Sequence, residues 1–306
     1  MDIRENVPLA PLTTFEIGGT ARFLVDVRTE EQIREAIEWA RERKIGFVVL
    51  SGGSNVLLPD QGLDSLVIRF VGNLWSVQGS SVDAWAATNL LELIRAMATQ
   101  ALGGWEKLAG IPGGVGGAAR GNAGAFGSEI KDFIVRVSAL HAESGETRFF
   151  NNEECDFSYR HSFFKDHPEW IITRVVLQLQ PTDRAASETL IEETIREREK
   201  RHLQNVRAAG SFFMNPVAPQ EVQDLFEREK GVKSREGRVP AGWLIEKAGL
   251  KGAQVGGAIA SVQHPNYIVN TGDASAEDVL ELARLIKEAV LAKFGIRLEE
   301  EAALFT

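Results

Sequence analysis

Two glycine-rich loops constrain this chain more than any other feature of its sequence. The first, Ser51 to Asn55, follows the apolar run Phe47 to Leu50, which predicts a buried strand. The second lies in Gly110 to Gly127, which holds eight glycines in eighteen positions. Glycine adopts positive φ and lets a backbone approach a ligand closely. Such loops therefore predict either ligand contacts or close packing between elements.

Neither loop carries a known nucleotide signature. The dinucleotide fingerprint needs GxGxxG between a strand and a helix, and a P-loop needs a lysine followed by serine or threonine. Ser51 to Asn55 and Ile111 to Ala118 match neither pattern. Glycine density alone leaves ligand binding and tight packing equally open.

Helical and strand patterns alternate along the chain. Thr29 to Arg43 carries apolar residues at helical spacing, and Thr29 with Gln32 predicts a capping box. This helix and the strand that follows it predict a β-α-β-like opening. The same criteria predict further helices at Trp85–Leu102, Ser187–Arg201, Gln220–Lys230 and Ser275–Val290, and strands at Leu66–Ile68, Ile134–Leu140 and Ile171–Leu179.

Composition limits the classes of function. The 306 residues suggest two or three domains, and 44% hydrophobic residues are enough for a real core. A net charge of −9 argues against a general nucleic-acid or membrane binder but leaves small anionic ligands open. The single cysteine, Cys155, allows no internal disulfide and no multi-cysteine metal site. The sequence has no signal-peptide or transmembrane pattern, so we expect a cytoplasmic protein. We also expect no bound metal.

Several motifs in a fixed order resemble one family. The motifs are Thr13–Gly19, Gly52–Leu57, Ile111–Ala118, Asn122–Gly127, Tyr159–Lys165, Ala209–Pro216 and Gly295–Glu301, with Ala241–Gly252 and His264–Asn270 between the last two. Together they are similar to the flavin-dependent UDP-N-acetylenolpyruvoylglucosamine reductases, and the similarity covers nearly the whole chain. Each motif alone is weak, whereas their joint order is specific.

The chain departs from the family pattern at two positions. Glu300 stands where the family usually has proline, and Met214 stands where it often has lysine. The longer family form also carries an insertion with a tyrosine that clamps the substrate. Here His167 to Trp170 leads directly to the strand at Ile171, which indicates the shorter form.

The resemblance implies an α+β fold. We expect a two-subdomain FAD-binding fold of the PCMH/VAO-like type and a C-terminal α+β substrate-binding domain. The expected bounds are 1–69 with the tail 295–306, 70–200 and 201–294. FAD would lie between the first two parts, and the substrate would be closed over by the third.

The resemblance also implies the reaction. NADPH would give a hydride to non-covalent FAD, which would pass it to the enolpyruvyl ether of a UDP-sugar and so form UDP-N-acetylmuramate. This step belongs to peptidoglycan synthesis and hence to cell-wall biogenesis, cell shape and cell division. The only partner expected is this small-molecule substrate, and a monomer is compatible with the sequence.

Three residues in the motifs are the expected catalytic groups. Arg160 would stabilise the enolate, because a guanidinium matches a carboxylate. Ser211 would give the proton to carbon, and Glu301 would act as an acid or through a water. Outside their motifs, these residues would be a surface ion pair, a turn serine and a solvated charge.

Most of the expected binding residues lie in or beside these motifs, and Arg198 and Arg201 lie one turn apart on the helix that enters the third domain. The cofactor set is Ser51, Gly52, Gly53, Ser54, Asn55, Val56, Ile111, Pro112, Gly113, Gly114, Val115, Gly116, Gly117, Asn122 and Gly124. The candidates for the substrate phosphates are Asn215, Arg198, Arg201, Lys247 and Lys251, each of which could also be a surface group.

Two other functions remain open at this stage. An oxidase of the wider flavin class often tethers its flavin through histidine or cysteine, and neither glycine loop contains one. A nucleotide-binding module without catalysis would not need the three catalytic residues together. We expect His264 to be a packed side chain and Cys155 to be inert.

Overall fold

The computed structural model describes residues 1–201 and 206–305, without the side chain of Arg201. Contacts divide the chain into two compact units, each built from several segments. Unit 1 comprises Met1–Val7, Ala21–Gly53 and Leu63–Lys200, and unit 2 comprises Pro8–Thr20, Ser54–Gly62 and Arg201–Thr306.

The strands are short in both units. In chain order they are β1 (Ile3–Pro8), β2 (Thr20–Val27), β3 (Phe47–Leu50), β4 (Val56–Leu57), β5 (Leu63–Phe70), β6 (Trp75–Gln78), β7 (Ser81–Trp85), β8 (Leu102–Gly103), β9 (Gly124–Ala125), β10 (Ser128–Glu129), β11 (Ile134–His141), β12 (Thr147–Asn151), β13 (Trp170–Gln178), β14 (Gln180–Pro181), β15 (Gln254–Val255), β16 (Ala258–Ala260), β17 (Ile268–Asn270) and β18 (Ala303–Leu304).

The helices lie between them. They are α1 (Glu30–Glu42), α2 (Leu90–Thr99), α3 (Val115–Arg120), α4 (Phe163–Asp166), α5 (Arg184–Arg201), α6 (Gln220–Lys230), α7 (Ala241–Lys247) and α8 (Ala276–Phe294).

Unit 1 contains two main sheets. The first has the strand order β1-β2-β5-β3, and β2 and β3 both run parallel to β5. Helix α1 connects β2 to β3, which confirms the predicted β-α-β-like opening. The second sheet is antiparallel with the order β12-β11-β13-β7-β6. One buried cluster joins the two sheets, and its largest side chains include Trp85, Trp105, Phe150 and Phe164.

Unit 2 has a separate core around its longest helix. The buried face of α8 includes Val279, Leu282 and Ile286, and it packs with Phe15 and Phe213. A three-stranded antiparallel sheet, β15-β16-β17, lies in this unit, and the parallel pair β18-β4 joins residue 303 to residue 56. The entry motif Thr13–Gly19 therefore contributes core residues to unit 2.

Most predicted elements are confirmed, and their caps explain the bounds. Thr29 accepts a hydrogen bond from the Gln32 amide at 3.3 Å, as expected of an N-cap. The reciprocal bond is shifted by one residue, because Gln32 Oε1 accepts from the Arg28 amide. At α8, Ser275 and Asp278 form the complete capping box, and Gly295 ends the helix with φ +67°.

The helix predicted at Trp85–Leu102 begins too early. Trp85 ends strand β7, stacks on Phe70 at 5.3 Å between ring centroids and donates its indole N–H to the Val71 carbonyl. The helix instead begins after Asn89, whose side chain caps the Glu92 amide. Because the Trp85 ring packs in the core, this residue ends a strand, although the apolar residues after it have helical spacing.

The three-part domain division stays a prediction. Residues 1–69 and 70–200 share the core of unit 1, except for the segments Pro8–Thr20 and Ser54–Gly62, which cluster with unit 2. The C-terminal tail pairs with β4, within residues 1–69, and clusters with residues 201–306. In the part of the chain that the structure describes, no helix has the length and apolar character needed to cross a membrane.

Cys155 tests the packing of unit 1. It is 0% exposed, and burial, with a smaller contribution from Glu154, raises the pKa of its thiol to about 12. The thiolate is the form of cysteine that reacts as a nucleophile. At a given pH, this shift lowers the fraction of thiolate by about 10³-fold relative to a thiol with the ordinary pKa. We expect iodoacetamide to label the native protein at pH 8 far more slowly than the urea-unfolded protein. Equal labelling rates would show that this core opens readily.

Candidate active site

The two glycine loops meet within unit 1. Strand β3 ends at Leu50, and Gly53 turns the chain with φ +60°, a conformation that favours glycine. A Cβ on Gly52 would stand 3.0 Å from the Gly113 Cα, so the first loop lies directly against the second. The sequence predicted both loops, and their contact follows from the fold.

Ser51 supplies a polar group at this contact. Its Oγ is buried and has no hydrogen-bond partner among the described residues. The same oxygen lies 3.0 Å from the position of a Cβ on Gly114, between the two loops. Buried polar groups are almost always hydrogen-bonded, and an exception often marks a ligand or an unrecorded water. This hydroxyl therefore fits a polar ligand group at the loops.

Gly116 is explained by packing. A Cβ on it would lie 2.6 Å from the Ala86 Cβ, so only glycine fits against this residue at the end of β7. The Val115 and Gly116 amides donate to the carbonyls of Thr88 and Ala86, both at 2.9 Å. These two donors are therefore used within the fold and do not point at a phosphate.

Gly117 has no such explanation. It is exposed, and a Cβ on it would meet no atom within 4 Å. Its φ is not in the left-handed region, so neither the backbone conformation nor packing requires glycine here. A glycine that keeps space open in α3, the helix that follows the Gly113–Gly114 turn, fits a surface on which a cofactor lies.

The last two predicted cofactor residues serve the fold. Asn122 is buried, with its Nδ2 donating to the Ser158 carbonyl at 2.8 Å and its Oδ1 accepting from the Lys131 amide. A Cβ on Gly124 would stand 2.8 Å from the Ser128 carbonyl oxygen across the β9–β10 pair. The side chain of Asn122 and the absence of a side chain at Gly124 are thus both explained by the loop itself, and their predicted contact with the cofactor stays a prediction.

Arg198 lies at the second glycine loop. Its Cδ is 2.9 Å from the position of a Cβ on Gly110, whose φ is +84°. The stem of this arginine thus packs over the residue that precedes Ile111 in the loop. Arg201 is the last residue of α5, and its side chain is outside the described part of the structure.

Arg160 occupies a strained turn in unit 1. Its φ is +56°, which is uncommon for a long side chain. Ser158 and His161 exchange both backbone hydrogen bonds around it, and the Arg160 Nη2 donates to the Gly124 carbonyl at 2.9 Å. Ser162 then ties the turn to α3 through the Arg120 carbonyl at 2.6 Å. Strained conformations that a fold maintains so firmly are typical of functional positions.

Ser211 begins a short extended segment in unit 2. It follows Gly210, with φ +76°, and it is half-buried. The Ser211 hydroxyl makes no hydrogen bond within the residues described. The next residue, Phe212, accepts a backbone hydrogen bond from the Glu301 amide at 2.8 Å. The fold therefore brings the backbones of the predicted proton donor and the predicted acid side by side.

Asn55 holds the strand that carries Glu301. Its Nδ2 donates to the Glu301 carbonyl at 3.1 Å, and its own carbonyl accepts from the Ala303 amide at 2.9 Å. Asn55 and Val56 were predicted as cofactor residues, but both cluster with unit 2, where Val56 pairs with Ala303. The structure adds a role at Glu301 that the motif did not indicate.

The predicted phosphate-binding lysines are engaged in surface ion pairs. Lys247 contacts Glu229 at 2.8 Å, and Lys251 contacts Glu246 at 2.9 Å. Each lysine's hydrogen bond lowers the pKa of its glutamate partner. Exposed pairs of this kind hold a side chain only weakly, at about 0–1 kcal/mol, so a ligand could replace either partner.

Asn215 is partly used by the fold. Its Oδ1 accepts from the Ala241 amide at the start of α7, and its carbonyl accepts from Arg238 at 2.9 Å. Sequence reasoning did not single out Arg238, although it precedes the motif Ala241–Gly252 by only a few residues. It also passed over Asn266, a 3% exposed amide inside a quoted motif. A polar residue among buried apolar neighbours was the available signal. No cluster of potential metal ligands occurs among the described residues.

Comparisons with known proteins match both the part of the chain that contains the glycine loops and the C-terminal part. The family model of the UDP-N-acetylenolpyruvoylglucosamine reductase C-terminal domain matches residues 201–305, and an FAD binding domain model matches residues 21–150. A reductase of that name from Carboxydothermus hydrogenoformans is 37% identical over 298 residues, which are 97% of this chain and 91% of the relative. One from Solibacter usitatus is 34% identical over 300 residues, with 98% and 95% covered.

A solved structure agrees over the full length. The UDP-N-acetylenolpyruvylglucosamine reductase from Thermus caldophilus has a TM-score of 0.79 and 33% identity, with 100% of both chains covered. The predicted α+β fold with an FAD-binding domain is thereby confirmed. The direct link from α4 at Asp166 to β13 at Trp170 agrees with the shorter form.

The open space at Gly117 gives a test of cofactor contact. Leucine favours a helix over glycine by about 1 kcal/mol, Gly117 is exposed and a Cβ there would meet no atom within 4 Å, so Gly117→Leu should fold normally. If the cofactor lies along this residue, the purified variant should lose most of its FAD absorbance. Gly46→Leu is the matched control, because Gly46 is also exposed with nothing within 4 Å of its Cβ. A fully yellow Gly117→Leu protein would contradict the assignment.

Proposed function

We propose that this chain, which belongs to the UDP-N-acetylenolpyruvoylglucosamine reductase family, reduces UDP-N-acetylglucosamine enolpyruvate to UDP-N-acetylmuramate. Bound FAD would supply the redox chemistry, namely hydride transfer between NADPH and the substrate double bond. The observation that carries the proposal is the adjacency of the Ser211 segment and the Glu301 strand, within a chain that matches the family along its length.

The residues present fit FAD. Ser51 offers a buried hydroxyl, Gly117 keeps space open, and the Gly52–Gly113 contact lets the backbones of two loops approach the same ligand. We assign Ser51, Gly52, Gly53, Gly113, Gly114 and Gly117 to direct cofactor contact. Loop-shaping roles are supported by internal hydrogen bonds or strand pairings for Asn55, Val56, Val115, Gly116, Asn122 and Gly124.

Arg160 is the proposed partner of the substrate carboxylate. Hydride addition to a double bond beside a carboxylate builds negative charge, and a fixed guanidinium stabilises it in the transition state. The left-handed turn and the bond to Gly124 fix this guanidinium before the substrate arrives. Preorganised donors of this kind avoid the cost of reorientation during the reaction.

Ser211 is the proposed proton donor to carbon, and Glu301 is the proposed second acid. A half-buried hydroxyl without an internal partner can turn its proton toward a substrate carbon. Glu301 stabilises the enolate directly or through a water. The adjacent backbones of Phe212 and Glu301 hold the two residues in a constant relation.

The substrate phosphates need cations. Asn215 and Lys247 lie at the two ends of the region around α7, and Lys251 follows it. Arg201 ends α5. Arg198 packs over the second glycine loop, which supports a role near the cofactor rather than at the UDP group.

The cellular setting follows from the substrates. NADPH and UDP-sugars are cytoplasmic metabolites, so we assign the protein to the cytoplasm, where it acts on a small molecule. The division into two FAD subdomains, residues 1–69 with the tail and 70–200, and a substrate domain, 201–294, is part of the same proposal. An oxidase with tethered flavin is disfavoured, because neither glycine loop carries histidine or cysteine.

The cofactor should be released by acid. Without a tethering residue in either loop, FAD is held only by non-covalent contacts. Precipitation with trichloroacetic acid should leave all the yellow colour in the supernatant, measured as flavin absorbance. Colour retained in the pellet would contradict this part of the proposal.

Measuring the two half-reactions separately tests the proposed role of Ser211. Ser211→Ala should bind FAD, and NADPH should bleach the flavin at a near-normal rate, because no proton from Ser211 enters that step. Flavin reoxidation by the enolpyruvyl UDP-sugar should slow by about 10²–10⁴-fold, the usual effect of losing a general acid. Arg160→Lys and Glu301→Gln should impair the same step. Stopped-flow absorbance resolves the two rates.

Ser234→Ala is the control for this experiment. Ser234 is a half-buried serine in unit 2 whose hydroxyl bonds Glu227 at 2.8 Å, so its loss tests stability alone. Both half-reactions should be unchanged in this variant. Slow bleaching with normal reoxidation in Ser211→Ala would show that the proton comes from elsewhere.

A further inference from the structure

The segment after Ser211 is hydrogen-bonded along both edges. On one edge, the Glu301 amide donates to the Phe212 carbonyl at 2.8 Å, and the Met214 amide donates to the Glu299 carbonyl at 2.9 Å. These bonds form a short antiparallel bridge between Phe213 and Glu300. The bridge alone would leave the other edge of the segment without partners.

A single asparagine covers that second edge. The carbonyl of Asn266 accepts from the Phe212 amide at 2.7 Å, and its Oδ1 accepts from the Phe213 amide at 3.0 Å. Its Nδ2 donates to the Phe213 carbonyl at 2.8 Å. The side-chain amide of Asn266 thus pairs with both backbone groups of Phe213, as a neighbouring strand would.

The position of Ser211 depends on this pairing. The Ser211 hydroxyl has no partner in the described residues that could orient it, and the preceding Gly210 has no atom within 4 Å of its Cβ position. Before Ser211, the nearest hydrogen bonds of the described chain are those of Ala208 with Thr14, so Phe212 gives Ser211 its closest restraint. Both Asn266 and Phe213 are buried, at 3% and 0% exposed, and hydrogen bonds out of water restrain a backbone strongly.

We propose that Asn266 is a positioning residue for the reaction and that it sets the place of the Ser211 hydroxyl relative to Glu301. The proposal rests on the proposed function. It requires an amide and no other group, because one planar side chain must accept from an N–H and donate to a carbonyl at the same time. A carboxylate at this position would face the Phe213 carbonyl with an acceptor.

The chain offers a closely matched control. Asn270 lies on β17, is 5% exposed and also uses its whole amide: its Nδ2 donates to the Phe15 carbonyl at 3.1 Å, and its Oδ1 accepts from the Gly272 amide at 2.8 Å. It makes no bond to the Ser211 segment. Asn270→Asp therefore carries the same chemical change and a similar loss of stability without the positioning effect.

The test compares Asn266→Asp with Asn270→Asp in both half-reactions. Displacing a reacting group by about 1 Å can cost about 10²-fold. We expect NADPH bleaching at near-normal rates in both variants, and reoxidation by the UDP-sugar at saturating concentration slowed at least tenfold in Asn266→Asp only. If the aspartate variant does not fold, Asn266→Ser, which keeps a hydrogen-bonding group, should show the same selective effect in weaker form.

Two further measurements distinguish positioning from general support. In a double variant with Ser211→Ala, Asn266→Asp should slow reoxidation no further, because it acts through a hydroxyl that is already absent. Amide hydrogen exchange of a peptide spanning Ser211 to Met214 should accelerate in Asn266→Asp and remain unchanged in Asn270→Asp. Neither effect follows from loss of stability alone.

The outcomes separate the inference from its premise. If the unsubstituted protein is reoxidised by the UDP-sugar and Asn266→Asp is reoxidised equally fast, the positioning role is wrong while the proposed function stands. Equal slowing of both half-reactions, or a further loss in the double variant, would also overturn it. If the UDP-sugar fails to reoxidise the unsubstituted protein, the proposed function and the inference are both wrong.

Discussion

The backbone pairing of Phe212 and Phe213 is the constraint on which the chemistry of unit 2 depends. One edge bonds to the strand that carries Glu301, and the other bonds to Asn266. Because these groups are buried, each unmade bond would cost about 1–3 kcal/mol, so the segment has essentially one arrangement. Asn55 extends the same restraint to the far side of Glu301. Ser211, the proposed proton donor, has no hydroxyl partner among the described residues and is thus held by neighbouring groups to which we assign no part in the reaction.

Neighbouring glycines in one motif have different physical causes. Gly116 is needed because Ala86 leaves no room for a Cβ, whereas Gly117 has open space around it. Gly124 is needed because two backbones approach across a strand pair. Some glycines of such a loop are therefore required by packing and others are not, and the sequence alone does not distinguish the two kinds.

Local sequence patterns predicted much of the fold. The positions of α1 and α8 could be predicted from the spacing of their apolar residues and from their capping residues, because each helix is amphipathic and has its own N-cap. The start of α2 could not be predicted in this way, because the burial of Trp85 depends on Phe70, which ends β5 in the other main sheet of unit 1, and on Val71, which follows it. The catalytic residues were proposed through the resemblance, since an isolated serine or arginine has no pattern of its own.

The supporting residues were beyond local reasoning. Asn266 and Asn55 act through hydrogen bonds to backbone groups 53 and 246 positions away, and nothing near them in the sequence shows those partners. Asn55 instead follows a glycine loop, which pointed to the cofactor. Only the paired strands β4 and β18 show why an asparagine stands there.

That span of 246 positions between Asn55 and Glu301 bears on the order of folding. Closing so long a loop costs entropy before any contact compensates for it, and local elements such as α1 can form first. A chain emerging from the ribosome can therefore assemble the glycine loops of unit 1 well before the Glu301 strand exists. The nascent protein would form its glycine loops first and place the proposed acid Glu301 later, so the proposed chemistry could begin only after residue 301 had been made.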